Sequence, residues 1–455
     1  MNRTQAVLPL AAMKTFVATA IALFAVAGSA AGADPFLRHT ATVDVVRKVG
    51  PSVVNITTEQ IVAGGSPFRP FSDPFFDRFF QDFFEPRAPQ TLKSLGSGVL
   101  IDAERHVLTN EHVINRASRI RVTLADGREF DAKLVGADPN NDLAVLRVES
   151  KEALPWVPPA SSSDIMVGEP VIAIGNPFGL SNTVTTGVIS AADRSIRTED
   201  RVYHGFLQTD ASINPGNSGG PLLNAEGSLI GINTAIYGGA QGIGFAIPID
   251  VAKRVVTQLI AHGEVAPTSL GFEVQEVDRR MVEVMEIPPG VAGALVSNVR
   301  KGGPAARAGV VGGDLVTHLA GQSVKSARDF YEVLGSLTEG EPVEVRLWRE
   351  KSERTVQVNA EALPPGEVDA LAERLLGLRL RPRAGGGFTV DSVRPGTGAA
   401  QIGFQPGDLV LGINGQELGD VSAFRRAVLD LRGRDVALVV VQRGAGRYHV
   451  SVPLS

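Results

Sequence analysis

The C-terminal third of this chain repeats itself, and that repeat constrains its fold more than any other feature. Shifting the sequence by 94 residues lays Val299-Arg300 on Val393-Arg394 and Ala305-Ala306 on Ala399-Ala400. The same shift lays Gly309 on Gly403, Gly313-Asp-Leu-Val316 on Gly407-Asp-Leu-Val410, Gly321-Gln322 on Gly415-Gln416 and Phe330 on Phe424, without a gap. Two copies are too few for a solenoid, so each must close its own small core. Each reads as strands, then a helix (Ala327 to Leu337; Val421 to Leu431), then a closing strand. Ahead of the repeat, from about Val43 to Pro248, short β-type runs such as Leu143-Ala-Val-Leu-Arg-Val148 and Pro170-Val-Ile-Ala-Ile174 alternate with Gly, Asn, Asp and Pro. That pattern predicts all-β barrels. A helical stretch, Asp250 to His262, ends at Gly263, and Glu264 to Thr268 reads as a linker.

With 455 residues, two to four domains are expected. Net charge is −5 and no basic tract exceeds a dipeptide, so nothing points to nucleic acid. The absence of cysteine excludes a thiol nucleophile, a disulfide framework and a Cys-based zinc site; neither cofactor nor metal is expected. At the N-terminus, Lys14, the apolar run Phe16 to Ala27 and the small residues Ala31-Gly32-Ala33 read as a cleavable secretory signal over residues 1–33. The run is short for a spanning helix, so delivery to the periplasm without stable membrane insertion is expected. Residues 64–90 form an insertion with eight phenylalanines, whose pairs 75/76, 79/80 and 83/84 recur at helical spacing. A helix this apolar predicts docking, with self-association favoured over packing on its own domain.

Only Gly216-Asn217-Ser218-Gly219-Gly220-Pro221-Leu222 demands a chemical explanation. A serine hydroxyl attacks only when a neighbouring base takes its proton, and the resulting oxyanion needs pre-placed donors. Flanking glycines let the backbone aim N–H groups into one small space. The N–H groups of Gly216 and Ser218 are the expected pair, with Asn217 close by. Among seven histidines, His112 stands out in Leu108-Thr-Asn-Glu-His-Val-Ile114, at a strand-to-turn junction, with His106 as the rival. The carboxylate that orients the base is expected at Asp142, immediately ahead of an alternating apolar strand, with Asp138 and Asp131 as alternatives. The order His112, Asp142, Ser218 is the chymotrypsin order.

The repeat resembles PDZ domains, in "AARAGVVGGDLVTHLAGQSV" and "AAQIGFQPGDLVLGINGQEL". The resemblance implies peptide capture by strand addition. The carboxylate loops would then carry Leu270, Gly271 and Phe272 in the first copy and Leu376, Gly377 and Leu378 in the second. The strings "LGSGVLID", "VLTNEHVI", "NDLAVLRV", "AIGNPFGL", "TVTTGVISAADRS", "FLQTDASINPGNSGGPLLN" and "GIGFAIP" resemble the HtrA family of serine proteases, of the Do-like type. That resemblance implies a mainly β fold, a chymotrypsin-like double β-barrel protease domain over 40–263 followed by PDZ domains over 266–360 and 370–455. It further implies a homotrimer, the 64–90 loop reaching between subunits, Arg194 as the sensor of a regulatory loop, and ATP-independent degradation of unfolded envelope proteins.

Specificity is partly readable. Six residues before the nucleophile, where trypsin-like enzymes carry an acid, stands Ser212, followed by Ile213. With Ile236 and Tyr237 opposite, an uncharged pocket predicts cleavage after small or medium aliphatic residues, Asp210 being structural. Two other functions are weighed beside the peptidase: a holdase or scaffold for unfolded polypeptides, and a signalling protease that cuts one substrate after reading an exposed C-terminal peptide.

Overall fold

The computed structural model describes residues 38–60, 92–115, 117–177, 182–197, 202–214, 216–234, 242–288, 290–364 and 366–454. The expected signal (1–33), the phenylalanine-rich insertion (64–90), Ile236 and Tyr237 lie outside them.

Helix α1 (Ala41–Val49), capped by the Thr40 hydroxyl, seats Val45 and Val49 in the core. It leads into a closed barrel of β1 (Val53–Gln60), β2 (Leu92–Leu100), β3 (His106–Thr109), β4 (Arg119–Leu124), β5 (Glu129–Asp138) and β6 (Leu143–Val148), in the order β1-β2-β3-β6-β5-β4. A one-turn helix α2 (Glu111–Ile114) interrupts it after β3. A second closed barrel comprises β7 (Pro170–Gly175), β8 (Thr183–Arg197), β9 (Val202–Thr209), β10 (Pro221–Asn224), β11 (Leu229–Thr234) and β12 (Gly244–Pro248). Its order, β7-β8-β9-β12-β11-β10, repeats the topology of the first.

The apolar runs resolve by strand periodicity. In β6, Ala144, Leu146 and Val148 fill the first barrel, while Leu143 and Val145 join a cluster shared between the barrels. In β7, Val171 and Ala173 fill the second barrel, and Ile172 and Ile174 face the shared cluster. Helix α3 (Ile249–His262) completes that cluster with Ile249, Ala252, Val255 and Leu259. It begins one residue before its predicted start and ends at Gly263, whose φ of 78° is left-handed.

The repeat folds into two units of one design. The first comprises β13 (Thr268–Ser269), β14 (Phe272–Gln275), α4 (Arg279–Val284), β15 (Ala294–Val299), α5 (Pro304–Arg307), β16 (Leu315–Leu319), β17 (Gln322–Ser323), α6 (Ala327–Ser336), β18 (Pro342–Arg349), β19 (Ser352–Asn359) and β20 (Glu361–Ala362). The second comprises α7 (Glu367–Leu376), β21 (Leu378–Pro382), β22 (Phe388–Val393), α8 (Gly398–Ile402), β23 (Leu409–Ile413), β24 (Gln416–Glu417), α9 (Val421–Leu429), β25 (Val436–Arg443) and β26 (Gly446–Pro453). Strand orders match, β14-β15-β16-β18-β19 and β21-β22-β23-β25-β26, and each unit has its own apolar core. The repeat preserves a polar clamp as well. Arg349 binds the buried Asp314 and the Gly309 carbonyl, and 94 residues on Arg443 binds Asp408 and the Gly403 carbonyl.

Candidate active site

The site is built where the two barrels meet. Thr109 ends β3, and the next turn of chain, α2, carries His112, a side chain sealed inside the protein. Asp142 sits in the turn between β5 and β6 with φ of 52°, a left-handed backbone that Asp tolerates better than most residues. Its carbonyl accepts from Asn110 Nδ2 at 3.0 Å. Its Oδ1 accepts from the His112 backbone N–H at 3.1 Å, so carboxylate and imidazole are tied by main chain as well as side chain.

His112 Nδ1 lies 2.9 Å from both Asp142 oxygens. Asp142 is only 2 % exposed, and Thr234 Oγ1, at the end of β11, donates to its Oδ2 at 3.1 Å. An ionised carboxylate only accepts, so the imidazole proton resides on Nδ1 and Nε2 keeps its lone pair.

Ser218 is tied to the same seam through its backbone neighbours. Gly219 N donates to the Asn233 carbonyl at 2.9 Å, one residue before Thr234, and Asn233 N returns a bond to Gly220 O at 2.9 Å. Ser97 N, from β2, donates to the Ser218 carbonyl at 2.8 Å. The Ser97 hydroxyl donates to the Gly216 carbonyl and accepts from Asn176 N, while Thr109 Oγ1 donates to the Ser97 carbonyl at 2.7 Å. One fully buried serine of the first barrel therefore fastens the nucleophile loop, the end of β7 and the histidine strand.

Two glycines of the loop are required by geometry. Gly216 has φ of 99°, and a Cβ there would fall 2.2 Å from Pro177 Cβ. Gly219 has φ of 83°, and its Cβ would fall 2.1 Å from the Ser97 carbonyl and 2.3 Å from Thr109 Oγ1. Asn217 N donates to the Asn214 carbonyl at 3.0 Å, which closes the turn before Ser218. That bond engages the Asn217 N–H within the turn.

The rival residues lie in other roles. His106 Nδ1 sits 2.7 Å from Asp102 at the mouth of β3. Asp138 braces the turn ahead of Asp142 through Asn140 N and Asn141 Nδ2, and Asp131 pairs with Arg119 on the barrel exterior. Asp210 accepts from Val188 N at 2.7 Å. In the pocket region, the Ser212 carbonyl accepts from Thr185 Oγ1 at 2.9 Å and from Asn217 Nδ2 at 3.3 Å. Ile213 faces Gly244 so closely that a Cβ on that glycine would meet Ile213 Cγ1 at 2.6 Å. Arg194 lies on β8 and bonds Gln208 Oε1 at 3.1 Å. Its neighbours make one link to the first repeat unit: Gln322 Nε2 donates to Asp193 Oδ1 at 3.2 Å, and the Ser195 hydroxyl bonds Gln322 Oε1.

Leu270 and Leu376 are fully buried, and between each and the following strand lies a left-handed glycine, Gly271 (φ 80°) or Gly377 (φ 73°). Phe272 and Leu378 open β14 and β21, each the outermost strand of its sheet. Ser97 and Thr234 escaped sequence reasoning. A buried Ser or Thr in an apolar strand has no pattern of its own, and the only signal was a polar residue inside a β run.

Family profiles place a trypsin-like peptidase domain on residues 96–232 and PDZ domains on 268–360 and 389–443. A probable periplasmic serine endoprotease, DegP-like, of Pseudomonas putida is 37% identical over 449 residues, covering 89% of this chain and 91% of the relative. The periplasmic serine endoprotease DegP of Escherichia coli K12 is 36% identical over 426 residues, covering 88% and 89%. Among solved structures, the HtrA-type protease AlgW in a serine-to-alanine variant with decapeptide aligns at a TM-score of 0.50 and 39% identity, over 71% of this chain and 98% of that one. The chain belongs to the HtrA family of serine endoproteases, of the type in which a trypsin-like peptidase domain precedes two PDZ domains.

Proposed function

We propose that Ser218, His112 and Asp142 are the catalytic triad of this endopeptidase. The observation that carries the reading is the buried Asp142 carboxylate, which holds His112 through both Nδ1 and the backbone N–H. That arrangement fixes the tautomer whose Nε2 can take the Ser218 proton as the hydroxyl attacks a peptide carbonyl. The imidazolium so formed is stabilised by Asp142 and returns the proton to the leaving amine. The N–H groups of Gly216 and Ser218 receive the oxyanion.

The substrates are unfolded polypeptides of the periplasm, the compartment for which the relatives are named. An aliphatic Ile213 beside an uncharged Ser212 favours small or medium aliphatic residues before the cut. No chemical step calls for ATP or a metal. The two PDZ units present chain ends, their peptide edges being β14 and β21, and the working unit is a homotrimer. Asp193 and Ser195, hydrogen-bonded to Gln322, form the physical link through which the first PDZ unit acts on the segment around Arg194.

The test is degradation of reduced, unfolded casein without nucleotide. Wild type is expected to cut it, chiefly after Val, Ala and Ile, and Ser218→Ala to leave it intact. Cleavage by Ser218→Ala, or cuts chiefly after Lys and Arg, would refute the assignment. Protection of casein from aggregation by Ser218→Ala would reveal a holdase activity beside the peptidase.

A further inference from the structure

The edge of the first PDZ unit that the proposed function assigns to peptides is already occupied. Successive residues of a strand point their N–H and C=O groups to opposite edges, and those of Val274 turn away from the sheet. Val274 N donates to the Tyr331 hydroxyl at 3.1 Å, and that hydroxyl donates to the Val274 carbonyl at 3.2 Å. Tyr331 comes from α6, so one side chain satisfies both backbone groups that Val274 would offer to an added strand.

The second PDZ unit lies across this closure. The Arg432 guanidinium sits 4.5 Å from the centre of the Tyr331 ring. Gly433, with φ of 71°, packs so closely on the first turn of α6 that a Cβ would fall 2.7 Å from Arg328 N. Arg374 Nη2, from α7, bonds Glu273 Oε1 on β14 at 2.5 Å. Burial raises the Tyr331 phenol above its ordinary value, so the group that donates to Val274 stays protonated at physiological pH. The closure is specific to one copy. The 94-residue shift lays Tyr331 on Arg425, which turns instead to Glu264 at 2.7 Å.

We infer that Tyr331 is a gate on the peptide edge of the first PDZ unit, and that the second unit holds the gate shut through Arg432 and Arg374. Peptide entry and docking of the second unit then compete for one surface. A chain end with an apolar last residue, suited to the surroundings of Leu270, Phe272 and Phe330, must swing Tyr331 off Val274 before it can pair with β14. The first PDZ unit thus responds to peptide only when the second has moved away or the peptide is concentrated enough to displace it.

This inference rests on β14 being the peptide edge, and the test separates the two claims. In full-length protein carrying Ser218→Ala to prevent cleavage, fluorescence anisotropy measures the affinity for a labelled peptide ending in three valines. Hydrogen exchange on the segment 270–278 is followed in parallel. Tyr331→Phe keeps the ring and removes the hydroxyl, and Arg432→Ala removes the stacking cation. Each is expected to tighten binding about threefold to tenfold, the value of one or two net hydrogen bonds or one buried cation–π contact. The segment should exchange faster without peptide and become protected with it. Unchanged affinity in both variants, with 270–278 protected by peptide, would overturn the gate and leave β14 as the edge. Binding that leaves 270–278 unprotected would overturn the edge and the gate with it, as would no binding by any of the three proteins.

Discussion

Asp142 carries more of the site than any other residue. It orients His112, receives Thr234 and sits in a left-handed backbone, and each demand limits what can replace it. Thr234→Val keeps the shape and removes one donor. The expected result is a fall of about tenfold to a hundredfold in kcat/KM on a peptide substrate, the effect of one hydrogen bond to a charged group. Gly216→Ala places a Cβ against Pro177 and distorts the loop proposed to supply the oxyanion donors. A loss of about 10²- to 10³-fold in kcat with KM nearly unchanged is expected in steady-state kinetics. His112, Asp142 and Ser218 were legible because each sits in a local pattern: a broken strand, the approach to an apolar strand, a glycine-rich turn. Ser97 and Thr234 were not, because what they do depends on which strand of the other barrel lies opposite, a register that no short window records.

Among elements, α3 shows how a short polar cluster ties a helix start to the preceding segment. Burial alone would raise the Asp250 carboxyl, but bonds from Lys253, from Ser162 N–H and Oγ, and from Ser161 outweigh it and hold the pKa down to about 2. A carboxyl depressed in the folded state stabilises above its ordinary value of 3.8, and that stability is lost as pH falls from about 4 through about 2. Asp250→Asn should therefore cost about 1–2 kcal/mol at neutral pH, a figure reduced for partial exposure, and the gap from wild type should close near pH 2. Denaturant melts at pH 7, 4 and 2.5 measure it; a constant gap would remove the carboxylate from the account. In the repeat, Arg443 holds the buried Asp408 below its ordinary value through their hydrogen bonds. Arg443→Ala, which strands that carboxylate, is expected to destabilise the second PDZ unit, read as a lower denaturant midpoint for its unfolding. The strand pattern and repeat made these elements readable in advance, to within one residue at the start of α3. The single-turn α2 under His112 was not, since four residues carry no helical period.

Across the whole molecule, two barrels of one topology and two sheets of another were implicit in alternation and repetition, because both arise within short stretches of chain. How the units face one another was not. Glu264 receives Ser422 and Arg425 from α9, Gln322 meets Asp193, and Arg432 covers Tyr331, contacts that join residues up to 161 positions apart and leave no trace in composition. No helix among the described residues is long and apolar enough to cross a membrane. The central claim, that Ser218 is the nucleophile and His112 its base, is tested most directly by a fluorophosphonate that forms a stable ester only with an activated serine. Intact protein is labelled and digested, and the modified residue is located by mass spectrometry. The account predicts one adduct, on Ser218, lost on denaturation and slowed at least a hundredfold in His112→Ala. An adduct on another serine, or equal labelling of His112→Ala, would contradict it.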